Sequence, residues 1–182
     1  WQWLVGAEYI DQVVLSPAFA QDRRLYMVGA QAVSSSADGG DSWVSHPFWG
    51  FSHTARSLAI SPSFGQDQTL VATGNGVYRS TDAGASWSAV ANQPPISPNS
   101  GQGWQAGRLH WSQNDRLYLT IYMLDSAAPY TRHDQLWTSA DKGQNWSQVA
   151  TAPELPMSAL TTGPTAGGQA IYLGVFDSNE GD

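Results

Sequence analysis

Ser36-Ala37-Asp38-Gly39-Gly40-Asp41-Ser42-Trp43 recurs as Ser80-Thr81-Asp82-Ala83-Gly84-Ala85-Ser86-Trp87 and again as Ser139-Ala140-Asp141-Lys142-Gly143-Gln144-Asn145-Trp146. These are three copies of S-x-D-x-G-x-x-W, a pattern with a direct physical reading as a tight hairpin turn. The short carboxylate accepts backbone N–H bonds, the glycine takes a positive φ, and the indole covers the turn from the next strand. Acidic turns containing glycine also bind calcium, but only one acidic position is shared by all three copies and the EF-hand series of ligands is missing. The structural set of the turns is therefore Ser36, Asp38, Gly40 and Trp43, then Ser80, Asp82, Gly84 and Trp87, then Ser139, Asp141, Gly143 and Trp146.

Outward from the turn, Leu15-Ser16-Pro17-Ala18-Phe19-Ala20-Gln21-Asp22 recurs as Ile60-Ser61-Pro62-Ser63-Phe64-Gly65-Gln66-Asp67, each followed by an apolar run, Leu25 to Gly29 and Leu70 to Gly74. Related runs stand at Leu117 to Tyr122 and Ile171 to Phe176 without that preceding signature. The unit is about 45 residues with four short strands, the period of a propeller blade. The expected strands are 10–15, 24–29, 31–36 and 42–46; then 57–61, 69–73, 76–80 and 86–91; then 107–112, 116–122, 134–139 and 145–150; and finally 157–162 and 169–175. Alternating residues such as Val77 and Leu136 are expected between sheets.

The chain resembles the Asp-box, or BNR-repeat, β-propellers, a superfamily that includes sialidases, sortilin-type receptors, xyloglucan hydrolases and photosystem assembly factors. The likeness covers nearly the whole chain. It implies an all-β fold of four-stranded antiparallel blades, about three and a half to four of them here. The repeats fall at roughly 7–50, 51–105, 106–155, and 156–182 together with 1–6. It also implies that the octapeptide is a structural hairpin between the third and fourth strands, remote from the functional face, so the resemblance speaks for the fold and hardly for any one activity.

Composition fits a β-rich protein: 41% hydrophobic, 12% aromatic, 18 glycines, and only 13% charged residues. A net charge of −7 repels polyphosphate and argues against general nucleic-acid binding. No apolar run approaches the length of a membrane helix. The absence of cysteine removes disulfides and thiolate metal sites. The single lysine, Lys142, and the abundance of Trp, Ser and Gly suit an extracellular or cell-surface protein.

The phase of the repeat bears on closure. Trp1 sits where the tryptophan of a turn belongs, and the next turn aspartate would fall just past Asp182. Two accounts fit: a segment of a longer propeller, or a four-bladed ring in which Trp1 to Gly6 form the outer strand of the last blade. The second leaves only the polar stretch Asp177 to Asp182 as a third strand, so the segment is the favoured expectation. Either way an exposed blade edge calls for further blades or a neighbouring chain.

Up-and-down strand order puts the Ser-Pro-x-Phe loops and the octapeptide turns at one end, and the second-to-third loops and inter-blade connections at the other, variable end. From Asp38 to Asp82 is 44 residues, but from Asp82 to Asp141 is 59. Most of the excess is the segment Met123 to His133, expected to project from the variable end. With the stretch from His46 to His53 and the connection from Asn92 to Ala106, it supplies the candidate ligand-binding residues Phe48, Trp49, Phe51, Trp104, Tyr130, Arg132 and His133. Aromatic rings beside hydrogen-bonding groups suit sugar faces or a protein surface; the alternative is that these rings fill crevices between blades.

A glycosidase needs two suitably spaced carboxylates, and the available acids, Asp11, Asp125, Asp134 and Glu154, are marked by no motif. The resemblance to sialidases would require an Arg-Ile-Pro segment, which does not occur; Arg56 and Arg108 lie at the ends of first strands. His46, His53, His110 and His133 lack metal-ligand spacing, and Asn145-Trp146-Ser147, a glycosylation sequon, lies within a turn that explains it. No cofactor or metal is expected. The reading is a non-catalytic binding or scaffold module for a protein or a glycan; the alternative is a glycoside hydrolase fragment whose catalytic set is completed elsewhere.

Overall fold

The computed structural model describes residues 10–29, 32–47, 57–97, 103–126, 131–149, 156–165 and 168–175. The structure is all-β, built from four antiparallel sheets. The first contains β1 (Gln12–Leu15), β2 (Leu25–Gly29), β3 (Ala32–Ser36) and β4 (Val44–Pro47). The second contains β5 (Ser57–Ile60), β6 (Leu70–Thr73), β7 (Val77–Ser80) and β8 (Ser88–Ala89). The third contains β9 (Gln105–Trp111), β10 (Leu117–Leu124), β11 (Arg132–Ser139) and β12 (Ser147–Gln148), and the fourth β13 (Met157–Thr165) and β14 (Gly168–Val175).

Within each sheet, spatial order follows chain order. Each strand begins and ends within two residues of the position read from the repeat, except β13, which runs to Thr165. The first strands pack against one another in the sequence β1, β5, β9, β13, so the sheets form a succession in chain order.

Apolar alternation explains the packing. Tyr26, Val28 and Val33 of the first sheet meet Leu58 and Leu70 of the second, and Phe64 of the loop between them. Val71 and Val77 on the far side of the second sheet meet Leu109, Trp111 and Leu117 of the third. Tyr118 and Leu136 then meet Met157, with Leu160, Ile171 and Leu173 packed around them. Val77 and Leu136 are buried between sheets, as their period-two placement predicts.

Two short helices stand where only turns were expected: α1 (Phe19–Asp22) and α2 (Phe64–Asp67), one helical turn each. The Ser-Pro-x-Phe-x-x-Asp pattern builds them. Ser61 Oγ donates to Asp67 Oδ2 at 2.8 Å and accepts from Ser63 N, while Asp67 Oδ1 accepts from Thr69 N; Ser16 and Asp22 repeat the arrangement. Each helical turn ends on a left-handed residue, Arg23 (φ 52°) or Gln68 (φ 49°).

The three octapeptide turns share one hydrogen-bond scheme. In the second copy Ser80 Oγ donates to Asp82 Oδ1, Asp82 accepts from both the backbone and the hydroxyl of Ser86, and Trp87 Nε1 donates to the Gly84 carbonyl. The first copy repeats this with Ser36, Asp38, Ser42, Trp43 and Gly40, and the third with Ser139, Asp141, Asn145, Trp146 and Gly143. Gly84 and Gly143 carry φ of 88° and 83°. The bonds given by Ser42 and Ser36 hold the Asp38 carboxyl well below its usual range. For Asp82 and Asp141, burial pushes the other way and is outweighed by bonds from Ser86 and Ser80, and from Asn145 and Ser139. Each carboxylate is thus committed to its own turn.

These turns also fasten neighbouring sheets. Tyr26 of the first sheet donates to the Ala83 carbonyl, and Arg79 of the second donates to the Lys142 carbonyl, one sheet on in both cases. Lys142 Nζ in turn donates to Asp67 Oδ2 at 2.6 Å. A Cβ on Gly143 would stand 2.9 Å from Val71 Cγ2, so glycine serves close approach as well as φ. The helical-turn loops and the octapeptides therefore lie at one end, also joined by Arg23 to the Asp38 carbonyl and Ala83 N to the Gln68 carbonyl.

Candidate functional site

At the opposite end, the start of β9, the end of β10 and the starts of β11 and β13 surround a cleft of about 310 Å³. A bulge shapes its floor. Leu119 pairs with Leu109 and Ile121 with Ala106, so Gly107 and Arg108 together face Thr120. Thr120 Oγ1 accepts the Arg108 backbone N–H at 2.8 Å. A Cβ on Gly107 would lie 2.4 Å from that hydroxyl and 2.9 Å from the Thr120 carbonyl oxygen, so only glycine passes there. The extra residue kinks the strand and places Arg108 in the cleft lining.

Arg132 forms the opposite wall. Its Nε and Nη2 donate to the two carboxylate oxygens of Asp134, both at 2.8 Å, and Nη2 also donates to the Met157 carbonyl. The guanidinium carbon stands 4.6 Å from the centre of the Tyr122 ring. Asp134 also accepts the Met157 backbone N–H. A planar cation is thereby fixed by two strands and an aromatic face, with 32% of its side chain still exposed. Asp11, ahead of β1, and Ser158, on β13, add a carboxylate and a hydroxyl. The cleft is therefore lined by two arginines, a carboxylate and a serine whose hydroxyl donates to the Gly174 carbonyl, a set that pairs with hydroxyl and acidic groups of a polar ligand.

This arrangement changes the reading of several residues. The Asp134 side chain, expected among the loop acids, is only 1% exposed and is held by Arg132 and Met157, which withdraws it from contact with a substrate. The segment from Met123 to His133 is strand at both its ends, and residues 127–130 lie outside the described residues. Met123 pairs with His133 and Leu124 with Arg132, so the added length extends the β10–β11 hairpin. His133 Nε2 donates to Asp125 Oδ1 at 3.1 Å, with both side chains exposed, and does not line the cleft.

Trp104 packs against the core between the second and third sheets and bridges to Ile96. Phe48, Trp49, Phe51 and Tyr130 lie outside the described residues, as do His53, Arg56 and Glu154. His46 accepts from or donates to Ser35 within the first sheet. His110 meets Thr162 Oγ1 at 2.9 Å, and burial lowers its pKa. Asn145 is engaged by both Asp141 and Asn92. Among the described residues no group of three or more His, Cys, Asp or Glu converges on a point.

Sequence reasoning singled out Arg108, Arg132 and Asp11 separately but missed their convergence with Gly107, Tyr122 and Ser158. One signal was available: a lone glycine inside the strand pattern Ala106-Gly107-Arg108 marks a bulge or a close approach. A second cleft, also about 310 Å³, lies at the octapeptide end between Arg79, Ser86 and Gln144. Its lining runs along β7 and β8 and includes Ser80, Ser86 and Ser88.

No protein-family profile and no curated protein matches the chain. Among solved structures it is similar to a protein of unknown function from Dyadobacter fermentans DSM 18053, with 20% identity over 87% of this chain and a TM-score of 0.47. The chain spans 52% of that structure's length. No helix among the described residues is long and apolar enough to cross a membrane.

Proposed function

We propose that the chain is part of an Asp-box β-propeller that acts outside the cytoplasm as a non-catalytic binding module, taking its ligand at the variable end. The repeat period, the four-stranded order of three sheets and the fastening of each octapeptide turn to the preceding sheet support the propeller reading. The cleft beside the bulge carries the functional reading: Arg132 is immobilised before any ligand arrives, so little side-chain entropy is lost on binding.

Of the two ligand classes considered, a glycan suits the site better than a protein. The cleft is small, and its groups match hydroxyl and acidic substituents more closely than apolar anchors. Catalysis finds less support, because the buried Asp134 leaves Asp11 as the one carboxylate lining the cleft among the described residues.

The test is a carbohydrate-array screen with the chain and with Arg132→Ala and Arg108→Ala, alongside a hydrolase assay on any glycan retained. Binding that falls at least tenfold in both variants, without turnover, is the expected result. Turnover abolished by Asp11→Asn would overturn the non-catalytic reading, and unchanged binding in both arginine variants would remove the cleft as the site.

A further inference from the structure

Two charged side chains in the cleft are uncommitted. Asp11, ahead of β1, and Arg108, on β9, both line it and are both exposed. Among the described residues neither side chain has a hydrogen-bond or ion-pair partner, and they do not pair with each other. Arg132, by contrast, is matched by Asp134 and tied to the Met157 carbonyl. A carboxylate and a guanidinium in one cleft attract each other, so something keeps these two apart.

Ser57 accounts for the gap. It opens β5, is 1% exposed, and its strand packs between β1 and β9 in the succession of first strands. Its hydroxyl donates to Gln12 Oε1 and accepts the Leu109 backbone N–H, both at 3.2 Å, and Gln12 Oε1 also accepts the Leu58 backbone N–H at 2.8 Å. Gln12 directly follows Asp11 in the chain, and Leu109 directly follows Arg108. The Asp11 backbone is also held to the Val28 carbonyl, and that of Arg108 to Thr120 Oγ1. One buried hydroxyl thus joins the backbones that carry the two charges while each stays pinned in its own sheet.

We propose that the ligand is a neutral sugar whose adjacent hydroxyls bridge Asp11 and Arg108 across a gap held open by Ser57. This deepens the glycan reading above and rests on it. A carboxylate accepts and a guanidinium donates, so a group that satisfies both must offer a hydrogen on one side and a lone pair on the other. Hydroxyls on neighbouring sugar carbons do so, one donating to Asp11 and the other accepting from Arg108. An anion satisfies Arg108 alone and brings like charge toward Asp11; a cation does the reverse, and the pair selects against both. Arg132 does not tip that balance toward an anion, because Asp134 already meets its charge. Ser57 does not line the cleft and acts through Gln12 and Leu109, which makes it a positioning residue.

The probes are the tetrasaccharides of glucose, mannose and galactose and the matching tetramers of their uronic acids, titrated into the chain by calorimetry. At least one neutral tetramer is expected to bind more tightly than its uronate counterpart. Asp11→Ala and Arg108→Ala should each weaken that binding about tenfold. Ser57→Ala should weaken it as well, and Ser57→Thr, which keeps the hydroxyl, should restore it. Once Asp11→Ala has removed one end of the bridge, Ser57→Ala should have little further effect, whereas a merely structural loss lowers affinity by the same factor in either background. Thermal melts check that the Ser57 variants fold, and the exposed Asp11 and Arg108 variants keep the test decisive if Ser57→Ala does not.

A uronate tetramer that binds more tightly than its neutral counterpart would overturn the proposal. So would failure of all three neutral tetramers, full affinity in Asp11→Ala, or an undiminished effect of Ser57→Ala in the Asp11→Ala background. Retention of acidic glycans alone sinks this inference and leaves the binding-module reading standing, whereas an array that retains no glycan removes both.

Discussion

Aspartate does two different jobs in this molecule. In the octapeptide turns it is a half-buried acceptor, and its pKa at Asp38, Asp82 and Asp141 lies below the ordinary 3.8 because serine hydroxyls, an asparagine amide and backbone N–H groups favour the charged form by more than burial opposes it. A carboxyl depressed in the folded state contributes stability that is complete above the unfolded value of about 4 and is lost as pH falls through the folded value. Acid titration followed by tryptophan fluorescence should therefore show loss of structure beginning below about pH 4. Asp82→Asn should flatten that dependence, because the amide keeps one acceptor oxygen but no titrating charge. In the cleft, Asp134 is instead a buried counter-charge. Arg132→Ala strands it and is expected to cost about 3 kcal/mol in urea unfolding, whereas Arg108→Ala, at an exposed position, should leave stability nearly unchanged. The turn aspartates could be read from the sequence because their partners lie within four residues. Asp134 could not, because the Met157 backbone that completes its environment is 23 residues away.

Strands and turns were the most legible level. Alternation and the repeat located the strands, since a strand's side-chain period is independent of what it packs on. The extension of β10 and β11 was read as a loop because Met123 to His133 contains serine, alanine and proline between two paired ends. The pairing of Leu124 with Arg132 depends on a long-range register that composition does not encode. Two glycines at this level carry distinct expectations. Gly143→Ala places a Cβ on a φ of 83° and against Val71, so a loss of about 1–2 kcal/mol in denaturant midpoint analysis is expected, with ligand binding retained. Gly107→Ala forces the bulge against Thr120 and should cost about 1–3 kcal/mol while weakening glycan binding as well, since the kink that sets Arg108 in the cleft is disturbed. Measuring stability and binding on both variants separates a joint defect from a site defect.

Among the described residues, the second and third sheets are covered on both faces, and the first and fourth on one. Amide hydrogen exchange should follow that order, with β6 and β10 slowest and β1 and β14 faster. Leu117→Ala, in the joint between the second and third sheets, is expected to lower global stability by about 2–5 kcal/mol. The cleft was the least legible feature, because its walls come from Asp11, Arg108, Arg132 and Ser158, residues from four separate strand ends that only the succession of sheets brings together. Lys142 has a practical corollary. It is the chain's sole lysine, and its ammonium ties the third sheet's turn to Asp67 of the second. Attaching the protein to a sensor chip by amine coupling, or tagging it with a succinimidyl dye, would consume the ammonium at Lys142 and remove one of the ties between those two sheets, so capture through an appended affinity tag is the sounder way to immobilise it.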